Sequence, residues 1–170
     1  GLPALYASED EAETLEITLM DRVSGIQAVL QYSVLEAYDV ITRRVSIINP
    51  TQNTFTLQRV LSCCLDFFQP QNREVITFYG RHAGERTIER SSLRHGKIRI
   101  DSARGASSPH QNPFMILCDD HASETRGECC GLLFVYSGNF VAQAEVDQID
   151  QTRMVMGINP QGFRWNLPPN

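Results

Sequence analysis

Apolar residues recur at every second position over long stretches of this chain. Ile26, Ala28, Leu30, Tyr32 and Val34 share one side of such a stretch, with Gln27, Gln31 and Ser33 on the other. Successive side chains of an extended chain point to opposite faces, so this pattern predicts a strand with one face on a core and one in water. Leu15, Ile17 and Leu19 alternate with Glu16 and Thr18 in the same way. Residues 21–25 then predict the turn joining the two.

The same reading predicts a third strand at 40–48, rich in β-branched residues and ended by Asn49, Pro50, Thr51, Gln52 and Asn53. Residues 54–68 are apolar on both faces near Cys63–Leu65, as one long central strand would be. Further strands are predicted at 74–79, 97–103, 114–118, 129–136, 140–148, 152–158 and 163–167. No stretch of ten residues carries an unbroken i, i+3, i+4, i+7 apolar stripe. The expectation is an all-β, antiparallel β-sandwich of about ten or eleven strands in two sheets. The 170 residues suit one domain or one large piece of a bigger domain.

Composition narrows the function. The chain is 42% apolar and 21% charged, as folded proteins are, and its net charge of −5 disfavours a nucleic-acid partner. No apolar run nears the roughly 20 residues that cross a bilayer, so no membrane partner is expected. No basic-then-apolar signal segment is present. Starting at Gly1 rather than Met, the chain reads as a processed or shortened form. Five cysteines, Cys63, Cys64, Cys118, Cys129 and Cys130, lie in apolar stretches without metal-ligand spacing. They read as buried free thiols in the cytoplasm, with no metal and no cofactor.

The chemical constellations are sparse. Glycoside hydrolysis needs two carboxylates across one bond. The candidate groups are Glu9, Asp10 and Glu11, then Asp119 and Asp120, then Asp147 and Asp150, each read far more readily as a solvated turn or strand face. No nucleophile elbow, Walker loop or dinucleotide fingerprint occurs. His82, His95, His110 and His121 are scattered. The segment 104–113 is small, polar and rich in Pro and Gly. In it Arg104, His110, Gln111 and Asn112 could hydrogen-bond sugar hydroxyls, or simply meet water. Residues 80–86 could line a subunit contact or form a solvated ion-pair loop. Trp165 could stack on a sugar, but Phe163, Trp165 and Leu167 share one face of a strand, which favours core packing.

Several blocks together resemble the N-terminal β domain of family 36 α-galactosidases of bacterial and fungal type. They are Gly1-Leu2-Pro3-Ala4-Leu5-Tyr6, Glu11-Ala12-Glu13-Thr14-Leu15-Glu16-Ile17, residues 38–44, Glu85-Arg86, Leu93-Arg94-His95-Gly96, residues 104–114, residues 136–140 and Gly157-Ile158-Asn159-Pro160. They keep the family's order and span nearly the whole chain. The resemblance implies a supersandwich-like β domain set before a catalytic (β/α)8 barrel, with the nucleophile and the acid being aspartates of that barrel. No barrel sequence is present here, so no catalytic residue is assigned. It also implies that the chain enters the sandwich after its first strands, without the family's upstream Asp-bearing loop. Relatives often carry Trp where this chain has His82, which implies an altered sugar contact.

The resemblance further implies a parent enzyme that hydrolyses terminal α-D-galactosyl groups of melibiose- or raffinose-type sugars with retention. Family members are tetramers, so this piece would be a scaffold and oligomerisation element in a homo-oligomer. Its partners would be the barrel of its own chain and, through the parent, a galactoside. By analogy, loops 80–86 and 104–113 would lie near a neighbouring subunit. Two other readings stand beside it: an autonomous carbohydrate-binding module for galactosides, and a pure assembly domain without sugar contact.

Overall fold

A computed structural model describes residues 11–68 and 72–170. The Gly1–Tyr6 block and the candidate acids Glu9 and Asp10 lie outside the described residues. Among those described, thirteen strands form. The first six are β1 (Glu13–Met20), β2 (Gln27–Leu35), β3 (Val40–Ile48), β4 (Phe55–Leu57), β5 (Cys63–Phe67) and β6 (Arg73–Arg81). Then come β7 (Gly84–Leu93), β8 (Gly96–Asp101), β9 (Gln111–Asp119), β10 (Cys129–Leu133), β11 (Phe140–Val146), β12 (Thr152–Ile158) and β13 (Trp165–Leu167). A single 3-10 turn, Glu36–Tyr38, is closed by Asp39 in the left-handed region at φ 53°. The all-β, antiparallel class is thus the observed one.

The chain divides into two compact units. One holds the described residues up to Gln58 together with Phe163–Asn170. Its three-stranded sheet runs β1-β2-β3 and its two-stranded ribbon pairs β13 with β4. Asp21 makes the predicted first turn: its carboxylate accepts the Val23 and Ser24 N–H groups at 3.2 and 2.9 Å. Buried Asn49 fixes the next one. Its Nδ2 donates to the carbonyls of Asn53 (2.6 Å) and Leu167 (3.1 Å), and its Oδ1 accepts from the Thr51 N–H and hydroxyl.

The other unit, Arg59–Gly162, is a sandwich. A four-stranded sheet, β10-β9-β6-β7, packs over a three-stranded one, β11-β12-β5. Its core takes Val75 from β6, Met115 and Leu117 from β9, Phe140, Ala142 and Ala144 from β11, and Met154 and Met156 from β12. Each is an every-second-residue position. Size is matched across the ladder, since Ala142 opposes Met156 and Ala144 opposes Met154. A small residue beside a long flexible one fills the layer without a void. Strand β8 runs beside β11: His95 bridges Val146 at one end and the Ser102 N–H donates to the Phe140 carbonyl at the other.

Four expectations are corrected. Residues 54–68 are two strands, because β4 pairs with β13 and β5 with β12, so the chain between them must leave the ladder. Among the described residues there are four sheets rather than two. Residues 84–86 are strand, not loop, and β7 is a strand that alternation did not reveal. Of the cysteines only Cys118 is buried; Cys64 and Cys129 are exposed. All five are free.

Candidate functional site

The β6–β7 hairpin and the segment before β9 meet at one end of the four-stranded sheet. Tyr79 of β6 pairs with Gln111 of β9, and the Gly80 N–H donates to the His110 carbonyl at 3.4 Å. Both ladders slip register here, between Tyr79 and Arg81 on the β7 side and between Thr77 and Tyr79 on the β9 side. Such bulges bend a strand and re-aim its side chains. Gly80 is required by proximity: a Cβ there would sit 2.7 Å from Glu85 Cα and from the Gly84 carbonyl oxygen. Across from it, Arg86 adopts φ 60° inside a strand, a conformation that non-glycine residues rarely hold.

The segment before β9 is ordered by partners outside it. The Ser107 N–H donates to the Ser137 carbonyl at 2.8 Å, and the Gly105 N–H to Asn139 Oδ1 at 2.6 Å. Ser102 Oγ closes the bend by donating to the Ala106 carbonyl at 2.6 Å. Beneath it, buried Asn159 donates through Nδ2 to Asp101 Oδ2 and to the Ser102 carbonyl, both at 3.0 Å. Its Oδ1 accepts from Arg99 and from the Gln161 N–H.

Between hairpin and segment lies an open groove of about 540 Å³, lined by Glu85, Arg86, Ser107, Ser108, Pro109, Asn112 and Pro113. A guanidinium, a carboxylate, an amide and two hydroxyls suit a hydroxyl-rich ligand held by directional hydrogen bonds. They do not suit glycoside cleavage, because Glu85 is the groove's one carboxylate and the reaction needs two facing acids. Two of the acids singled out from sequence, Asp119 and Asp147, hold turns instead. Asp119 Oδ2 accepts the Glu128 N–H at 3.0 Å, and Asp147 Oδ1 accepts the Ile149 and Gln151 N–H groups, each at 2.9 Å. Asp150 faces His95 at 3.0 Å.

Of the six residues expected at a sugar or subunit contact, Asn112 lines the groove, its Nδ2 donating to the Phe78 carbonyl at 3.2 Å. Gln111 and His110 adjoin it; the His110 side chain is exposed, and Gln111 Oε1 is buried without a partner. Gln111, Asn112 and Pro113 belong to β9 rather than to a loop. His82 sits exposed on the β6–β7 turn, and Arg104 is exposed on the bend away from the groove lining. Trp165 belongs to the other unit and is 60% exposed, which overturns core packing. A two-stranded ribbon has too little surface to cover both of its faces. Alternation in the sequence offered no sign that Glu85 and Arg86 would face Ser107 and Ser108.

A second groove, of about 440 Å³, crosses the outer face of β5, β12 and β11 and is lined in part by Cys64, Gln143, Glu145 and Arg153. Two of its charged residues are paired. Arg153 makes a two-point pair with Asp66 at 2.6 and 2.9 Å, and Glu145 takes Lys97 at 3.7 Å and Gln143 at 2.9 Å. The Arg153 hydrogen bonds hold the Asp66 carboxyl below the usual carboxylate range, against the opposing effect of desolvation.

Sandwich, bulged hairpin and polar groove define an antiparallel β domain. The chain belongs to the family of glycosyl hydrolase family 36 N-terminal domains, whose model matches residues 1–168. It is 48% identical over 167 residues to the bifunctional alpha-galactosidase/sucrose kinase AgaSK of Mediterraneibacter gnavus, covering 98% of this chain and 18% of that one. It is 46% identical over 170 residues to the alpha-galactosidase AgaA of Geobacillus stearothermophilus, covering 99% of this chain and 23% of that protein. The crystal structure of that AgaA superposes with a TM-score of 0.94 at 45% identity, over 99% of this chain and 24% of the other. The chain thus spans about a fifth to a quarter of the length of these relatives.

Proposed function

We propose that this chain is a non-catalytic N-terminal part of an α-galactosidase that releases terminal α-D-galactosyl residues from melibiose- or raffinose-type oligosaccharides with retention. The observation that carries the reading is one of proportion. Nearly all of this chain aligns with α-galactosidases, yet more than three quarters of each of them lies elsewhere. In support, a variant of the Geobacillus AgaA has been crystallised in complex with raffinose. The chemistry would be double displacement by two carboxylates held in a (β/α)8 barrel, first forming a galactosyl ester and then hydrolysing it. Residues 1–170 would then be one part of a single β-sandwich domain beside that barrel, acting as scaffold and as oligomerisation element of a cytoplasmic homo-oligomer. His82, Arg104 and the groove around Asn112 are the places offered to a neighbouring subunit or its sugar.

Aryl α-galactoside hydrolysis tests this directly. The full polypeptide is expected to turn the substrate over and the 170-residue chain alone to show no release above background. Turnover by the short chain would overturn the scaffold role. The polar groove and the exposed Trp165 favour a second reading, an autonomous galactoside-binding module. It requires chemical-shift changes on titrating galactose into the chain, weakened by Asn112→Ala or Trp165→Ala. A flat titration at high galactose removes it.

A further inference from the structure

Strands β9 and β10 set two cysteines on one rung: Cys118 is the partner of Cys129. Among the described residues no other rung opposes Cys to Cys; Cys130 faces Leu117, Cys64 faces Val155 and Cys63 faces Met156. On the next rung the Asp119 N–H donates to the Glu128 carbonyl at 3.0 Å. Hydrogen-bonded and non-bonded rungs alternate in an antiparallel ladder, so Cys118 and Cys129 occupy a non-bonded rung, where side chains lie closest. Cys129 is exposed on β10, the edge strand of its sheet, whereas Cys118 is buried. Arg90 Nη2 stands 3.9 Å from Cys118 Sγ, which itself donates to the Glu74 carbonyl at 3.6 Å.

We propose that Cys118 and Cys129 form a thiol modification site: an accessible attacking cysteine and a buried resolving one that close into a cross-strand disulfide with a small disulfide such as oxidised glutathione. The Cys129 thiolate attacks one glutathione sulfur, a Cys129–glutathione bond forms, and the first glutathione thiolate leaves. The Cys118 thiolate then attacks Cys129 Sγ, the protein disulfide forms, and the second glutathione thiolate leaves. The two protons given up by the protein thiols end on the two glutathiones. Two protein thiols are oxidised and one glutathione disulfide is reduced. Burial raises the Cys118 thiol above its ordinary range and outweighs the pull of Arg90.

The test uses the full polypeptide carrying this domain, equilibrated over a range of oxidised-to-reduced glutathione ratios, quenched by acid and alkylated. Tryptic cleavage puts the two cysteines on separate peptides, 105–126 and 127–153. Expected are these two peptides linked in most molecules at the oxidising end and unlinked by dithiothreitol. The link should persist in Cys130→Ser and vanish in Cys129→Ser. Cys118→Ser should instead hold glutathione on Cys129. Absence of the link at every ratio, or its survival in Cys129→Ser, overturns the proposal. Circular dichroism of the serine variants confirms that each keeps the strand signature.

Discussion

At the scale of single residues, two buried asparagines do much of the shaping. Asn159 saturates its amide with two donations and two acceptances, tying Asp101 and Ser102 to Arg99 and Gln161. Removing such a group leaves buried partners unpaired, which costs about 1–3 kcal/mol. Asn159→Ala is expected to lower the unfolding free energy by that amount, read as a lower urea midpoint at unchanged slope. Asn159→Asp should lower it further at neutral pH, because it sets a carboxylate against Asp101. The Asn159→Asp excess should shrink on acidification. Asn49 plays a matching part in its own unit, where the Asn170 N–H also donates to its carbonyl at 2.9 Å. Neither asparagine can be told from any turn asparagine in the sequence, because the partners that make it buried come from elsewhere in the chain.

At the scale of elements, the bulged β6–β7 hairpin offers a paired prediction. Gly80→Ala would drive a Cβ into backbone at 2.7 Å, and backbone cannot step aside as a side chain can. A loss of about 1–3 kcal/mol is expected. Gly84→Ala, four residues on, meets nothing closer than the Arg81 side chain at 3.5 Å and should stay within about 0.5 kcal/mol of the parent. Thermal melts of the two variants check the contrast. The elements also show what periodicity can convey. Strands β1, β2, β3, β9 and β12 follow the alternating or β-branched pattern and were readable in advance. β7 was not, since Glu85–Ser92 is mostly exposed and almost wholly polar, and an edge strand with both faces in water has no period to display. The groove was legible only by halves. Its segment near Asn112 stood out as polar and Pro-rich, but its meeting with Glu85 and Arg86 depends on Tyr79 pairing with Gln111, a non-local choice.

For the whole molecule, acid stability follows from carboxylates that folding holds in their charged form. The Asp66 pKa is lowered chiefly by hydrogen bonds from Arg153, that of Glu74 by hydrogen bonds from Arg90, and that of Asp21 by the Ser24 hydroxyl and nearby N–H groups. A folded-state pKa below the unfolded one contributes stability that is complete above the unfolded value and disappears as pH falls through the folded value. Denaturant midpoints should therefore be level from about pH 7 to 5 and fall below about pH 4. Asp66→Asn and Glu74→Gln should flatten that fall, the first more weakly in high salt because the Asp66–Arg153 pair is the more exposed. The framing of residues 102–107 bears on how such a domain diversifies. Since Ser137, Asn139 and Asn159 set that path from outside, solvent-facing positions such as Ala103 and Arg104 can be rewritten while the trace stays put. Descendants of this sequence, natural or laboratory-made, can thus acquire new recognition without first inventing a new shape.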